Sequence, residues 1–138
     1  MCGALAIGMD VEHAPNVRDA LRCVDLGCKG AILYHHNGLM RCGVSPLMVL
    51  PKIRAAVGKK LILIIDGGIN SGFDVFKALA LGADFVSVGH AIMPPLGEKG
   101  TQGVQEKIEE MTNELKATML RTGSEYVYDI DPTIIRRI

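Results

Sequence analysis

Residues 61–90 hold the densest chemistry in this chain: Asp66-Gly67-Gly68 closes one apolar run of strand length and Gly89-His90 closes another. A glycine turn at the end of a strand leaves backbone N–H groups unobstructed by side chains. Two such turns side by side can cradle a phosphate between main-chain donors. The chemistry suggested is anion binding, with His90 able to carry partial charge beside the anion.

The elements that must position these turns follow from apolar period and punctuation. Strands are expected at residues 4–7, 30–34, 61–65 and 85–88. Asn16 can cap a helix over 17–26, with Ala20, Leu21 and Val24 at helical spacing and Gly27 as its stop. Ser45 can cap a second helix, with Pro46 at its first position, Leu47, Leu50, Ile53 and Val57 as its apolar stripe, and Gly58 at its end. Phe73, Phe76, Leu79 and Ala80 mark a third helix that closes at Gly82. Residues 97–103 read as a flexible loop before a long helix over 104–121, whose apolar positions include Ile108, Met111, Leu115, Met119 and Leu120. Asp131-Pro132 suits a short capped turn packed on the body.

Alternation of strand and helix predicts a parallel α/β architecture with right-handed crossovers. Four strands and four main helices in 138 residues form a single domain over 1–138. An eight-unit barrel typically needs ~250 residues, so the expected fold is an incomplete (β/α)8 barrel of about four units. Such a half barrel leaves two open strand edges and one uncovered face, which predicts a homo-oligomer or pairing with a complementing barrel half.

Charge and composition narrow the classes further. Fifteen basic residues balance fifteen acidic ones, which gives no electrostatic reason to expect nucleic acid or an anionic membrane as a partner. No apolar stretch reaches the roughly 18 residues of a membrane helix, and the first residues lack the pattern of a secretory leader; the expected compartment is cytoplasmic. Cys2, Cys23, Cys28 and Cys42 form no C-x-x-C pair, so buried free thiols are expected and no metal site. Lys77 and the Glu106, Lys107, Glu109, Glu110, Glu114 and Lys116 group read as solvated helix faces.

Several motifs carry a family resemblance. Leu50-Pro51-Lys52-Ile53, Asp66-Gly67-Gly68-Ile69, the block from Asp74 through Lys77-Ala78-Leu79-Ala80-Leu81-Gly82-Ala83-Asp84, Gly89, and Glu114-Leu115 through Thr122-Gly123 resemble the C-terminal half of FMN-dependent 2-hydroxy-acid oxidases and dehydrogenases, the glycolate oxidase and lactate oxidase group. The resemblance implies a (β/α)8 barrel with FMN at the C-terminal ends of its strands and a small 2-hydroxy acid as substrate. On it, residues 30–34 look like the sixth strand, 61–65 the seventh and 85–88 the eighth. Residues 4–14 resemble the segment around the fourth strand, and the fifth, which brings a lysine to the flavin, is expected to be missing.

The resemblance also assigns roles and shows departures. The sixth strand of the family ends in His-Gly-Gly-Arg, a proton-accepting histidine and an arginine that grips the substrate carboxylate. Here the string is His35-His36-Asn37-Gly38-Leu39-Met40-Arg41. Aligning His36 to the catalytic histidine puts Leu39 at the arginine position, and aligning His35 puts Gly38 there. Either way the arginine is gone. The cofactor-binding positions carried over are Asp66, Gly67, Gly68, Asn70, Gly89 and His90, with Asn70 and His90 standing where the family has arginines. Asp66 either orients the phosphate loop or caps its own turn. Loss of two charge-assisted hydrogen bonds, each worth about 1.5–3 kcal/mol, predicts FMN binding that is weak or lost.

Overall fold

A computed structural model describes residues 11–34 and 44–135 of the chain. Four strands, β1 (Val11–His13), β2 (Gly30–Leu33), β3 (Ile62–Ile65) and β4 (Phe85–Val86), form one sheet in the order β1-β2-β3-β4. All three pairings are parallel. Parallel neighbours in sequence order need a crossover each, and helices α1 (Val17–Asp25), α2 (Pro46–Val57) and α3 (Gly72–Ala80) lie on these three connections. The long α4 (Met93–Thr122) follows β4.

The strand expected at residues 4–7 lies outside the described residues. The strand beside β2 is β1, which falls within residues 4–14, the segment that resembles the fourth strand. Its residues are Val11, Glu12 and His13, none of them a lysine.

Alternation along the strands divides the sheet into two faces. Ala31, Leu33, Leu63 and Ile65 are fully buried and pack with Leu50, Ile53 and Val57 of α2 into the core. The other face carries Ile32, Ile64 and Phe85 in one cross-strand row, with Ile62 near it. Among the described residues nothing covers this row fully, and Phe85 is 60% exposed. The apolar stripe expected for α2 is where it was placed, with Leu47 half-buried at its margin. On α1 the buried face is Ala20 and Cys23, whereas Leu21 points out.

The caps decide the boundaries. Asn16 accepts from the Asp19 N–H at 2.9 Å and starts α1 as expected. Ser45 precedes α2 without a side-chain cap bond, so Pro46, whose fixed φ suits a first turn, is the start signal there. The flexible loop expected over 97–103 is helix on both sides of one break, at Gly100 (φ 62°, ψ −142°). Glycine at 103 lets the two segments fold tightly, because a Cβ there would collide with the Pro95 carbonyl. Along α4 Met111 is buried, while Leu115 and Met119 pack with Phe76, Ala80 and Ile130; Leu120 is exposed. Asp131 caps a 3-10 turn over Pro132–Ile134.

Candidate functional site

At the C-terminal end of the sheet the Asp66 N–H donates to the Leu33 carbonyl at 3.1 Å, and the Ser87 N–H donates to the Ile65 carbonyl at 2.8 Å. These bonds carry the parallel pairing just past β3 and β4 and set the two glycine turns beside each other. Gly67 (φ 89°) and Gly68 (φ 79°) adopt left-handed backbone that side chains other than glycine rarely tolerate. At Gly67 there is a second constraint, since its missing Cβ would stand 3.1 Å from the Tyr34 ring. The Asp66 carboxylate accepts from the Gly67 N–H at 2.7 Å and braces the turn.

The turns border a cleft of about 340 Å³. Tyr34 walls it from the end of β2, Asp66 through Ile69 from the β3 turn, and Ser87, Gly89, His90, Ile92 and Met93 from the β4 side. No lysine or arginine is among these lining residues. The backbone N–H groups of Gly68 and Gly89 engage no partner among the described residues, and a Cβ at Gly89 would meet open space. The described part of the cleft therefore offers main-chain donors, one carboxylate, one imidazole and residues bearing hydroxyls, Tyr34 and Ser87.

The neighbouring N-terminus of α3 is already occupied. Ser71 Oγ accepts from the Asp74 N–H at 3.2 Å, while Asp74 Oδ2 accepts from the Ser71 hydroxyl at 2.9 Å and from the Asn70 N–H at 3.2 Å. Glu114, reaching over from α4, accepts from the Gly72 N–H at 2.6 Å. Burial alone would raise the Asp74 carboxyl, but hydrogen bonds from Ser71, Asn70 and Lys77 and the Lys77 charge outweigh it and hold the pKa below the ordinary value. Three self-supplied acceptors leave no room for an external anion on that helix end.

The site residues expected from sequence fall into three groups. Asp66, Gly67, Gly68, Gly89 and His90 are brought together around the cleft. Asn70 is not among its lining residues; its side-chain amide donates to the Gly68 carbonyl at 3.3 Å and braces the loop. His36, with His35, Leu39 and Arg41, lies outside the described residues. Lys77 pairs with Asp74 at 3.3 Å on a half-exposed helix face. Tyr34, Ile69, Ser87, Ile92 and Met93 were not singled out as site residues. For Tyr34 and Ser87 the signal was position, each just past the end of a parallel strand, where ligands of α/β sheets gather. Among the described residues no group of three His, Cys, Asp or Glu could hold a metal ion.

A parallel sheet with helical crossovers and a glycine-lined cleft beyond the ends of adjacent strands defines an α/β class whose ligands gather at the strand ends. Comparison with known proteins resolves the class: the FMN-dependent dehydrogenase family matches residues 15–137, and the chain belongs to that family. An L-lactate oxidase of Lactobacillus jensenii is 36% identical over 93% of this chain and 32% of its own length. A peroxisomal (S)-2-hydroxyacid oxidase of Arabidopsis thaliana is 38% identical over 86% of the chain and 33% of its own. In structure, a putative lactate oxidase of Pediococcus acidilactici superposes with a TM-score of 0.83 at 34% identity, covering 87% of this chain and 34% of that one. The chain thus spans about a third of the length of the relatives it matches.

The residues present fit one end of FMN. The two glycines in left-handed backbone and the open approach at Gly89 suit close contact between main chain and a phosphate. Among the described residues, no cationic side chain that would strengthen such a contact lines the cleft.

Proposed function

We propose that this chain forms the closing strands of an FMN-dependent 2-hydroxy-acid oxidoreductase barrel and that, alone, it holds FMN weakly and turns over little or no substrate. The observation that carries this reading is the cleft of Gly67, Gly68, Gly89 and His90, where backbone donors persist and no lysine or arginine is among the described lining residues. Bound FMN would supply the two-electron acceptor for oxidising a small 2-hydroxy acid. In that reading Gly68 and Gly89 hold the phosphate, Asp66 fixes the turn, and His36 takes the substrate proton in a cytoplasmic enzyme. With Leu39 or Gly38 at the carboxylate clamp, a 2-hydroxy acid has lost its two-point grip.

The uncovered row of Ile32, Ile64 and Phe85 favours a partner, either a second copy or a complementing barrel half, because an incomplete barrel exposes what a full one buries. A second reading, a non-catalytic flavin- or phosphate-binding remnant or degraded gene product, is favoured by the same lack of cationic lining. The test is FMN titration of the purified chain by flavin fluorescence, followed by anaerobic addition of lactate or glycolate. Weak binding with slow or no bleaching is expected. Tight binding with rapid bleaching would refute the impaired reading, and no binding at any concentration would refute the flavin site.

A further inference from the structure

Three helices close on the same pair of backbone bonds, and one of them carries a cysteine on each side of the closure. At the end of α1 the Gly27 N–H donates to the Val24 carbonyl and the Cys28 N–H to the Cys23 carbonyl, both at 3.0 Å, with Gly27 in left-handed backbone (φ 77°). α3 ends alike, Gly82 to Leu79 and Ala83 to Ala78, and so does α4, Gly123 to Leu120 and Ser124 to Met119. Such a closure folds the residue after the glycine back over the last turn, so that its side chain meets that of the residue five positions earlier. In α3 the meeting pair is Ala78 and Ala83, both in the core. In α1 it is Cys23, 5% exposed, and the half-buried Cys28, which packs against the same core cluster. A backbone bond of 3.0 Å keeps the two α-carbons within roughly 7 Å, the span a disulfide can bridge. Neither cysteine lines the cleft.

We infer that Cys23 and Cys28 form a dithiol modification site, which closes into an intramolecular disulfide by exchange with a small-molecule disulfide. The Cys28 thiolate, on the more open side chain, attacks the small disulfide, giving a mixed disulfide and releasing one small thiolate. The Cys23 thiolate then attacks the Cys28 sulfur and releases the second. Two protein thiols are oxidised to one disulfide as one small disulfide is reduced to two thiols; each departing thiolate takes up a proton equivalent to the one the attacking thiol gave to solvent. Closure ties the last turn of α1 to the segment that enters β2 at Gly30. Because the native helix end already holds the two residues together, the folded chain closes the bond more readily than the unfolded one.

The test equilibrates the full chain with reduced and oxidised glutathione at fixed ratios, in native buffer and in urea, then unfolds it in alkylating reagent and maps tryptic peptides by mass spectrometry. Trypsin cuts after Arg22 and Lys29, so both sulfurs fall in the single peptide 23–29. The closed form of that peptide is two hydrogens lighter than the dithiol and takes up no alkylating group. The native chain is expected to need at least about tenfold more reduced glutathione to open than the chain in urea. C23A is expected to stop at the mixed disulfide on Cys28. A native peptide that is doubly alkylated or doubly glutathionylated under oxidising ratios would overturn the inference. So would bonds from Cys23 or Cys28 to Cys2 or Cys42 in place of the closed peptide, or equal closure in native buffer and in urea.

Discussion

The two ends of the sheet solve opposite problems with the same strands. At the N-terminal end, Arg54 of α2 donates to the Gly82 carbonyl at 2.8 Å, to the Leu61 carbonyl at 3.3 Å and to the Gly58 carbonyl, and it pairs with Asp84. Asp84 in turn accepts from the Leu63 N–H at 2.9 Å, which locks β3 to the residue before β4. Both side chains are mostly shielded, 16% and 27% exposed. At the C-terminal end the turns expose donors and keep space. One end is saturated with internal partners and holds the fold; the other leaves its main-chain donors unspent, which is what a binding site requires.

If that contrast is right, substitutions at the two ends separate stability from binding. Arg54→Ala should show the largest effect, because it leaves Asp84 only the exposed Lys59 ammonium at 3.8 Å and strips several carbonyls of a donor. A loss of about 2–3 kcal/mol in urea unfolding is expected, with cleft chemistry unchanged in any protein that remains folded. A cost below about 0.5 kcal/mol would mean the clamp is ornamental.

Within the cleft itself, Gly67→Ala is expected to cost about 1–2 kcal/mol, since the left-handed backbone strains an alanine and the Tyr34 ring must retreat. Gly89→Ala is its control. That residue has φ −104° and open space around it, so stability should stay within about 0.5 kcal/mol. Equal costs at the two positions would show that the turn geometry, as described, does not govern the site.

The smallest effect is expected from acid. The Asp74 carboxyl has its folded pKa held down, so its contribution is complete above the unfolded value of about 4 and is lost as pH falls through the folded one. Asp74→Asn should remove about 1 kcal/mol near neutral pH and flatten that portion of the acid limb, read from unfolding midpoints across pH. An unchanged acid limb in the variant would assign acid sensitivity to other carboxylates.

Much of this architecture was legible from residue order. Glycine stops at 27, 58, 82 and 123, the Asn16 cap and the apolar stripe of α2 are local signals, and local backbone energetics decide them. The glycine turn after β3 was legible for the same reason, because left-handed backbone at Gly67 and Gly68 is a local demand that glycine meets. What sequence order missed depends on distant partners. The helix on either side of Gly100 reads as a glycine-rich loop until Gly103 is seen against Pro95. Gly72 reads as an unremarkable first residue of a helix, yet a Cβ there would strike the α4 backbone at Met111 and Leu115. Asn70 stands at a motif position and still turns its amide to the Gly68 carbonyl.

The sequence by itself determined the family, the parallel α/β alternation and the absence of arginines at two positions, because these are statements about residue identity and short-range period. Only the tertiary structure decided that β1 fills the place beside β2, that Glu114 closes the α3 N-terminus, and that His90 shares a cleft with Asp66. Each of those joins residues far apart along the chain or sets strand order, and nothing in local propensity encodes which distant group will supply a hydrogen bond or a charge.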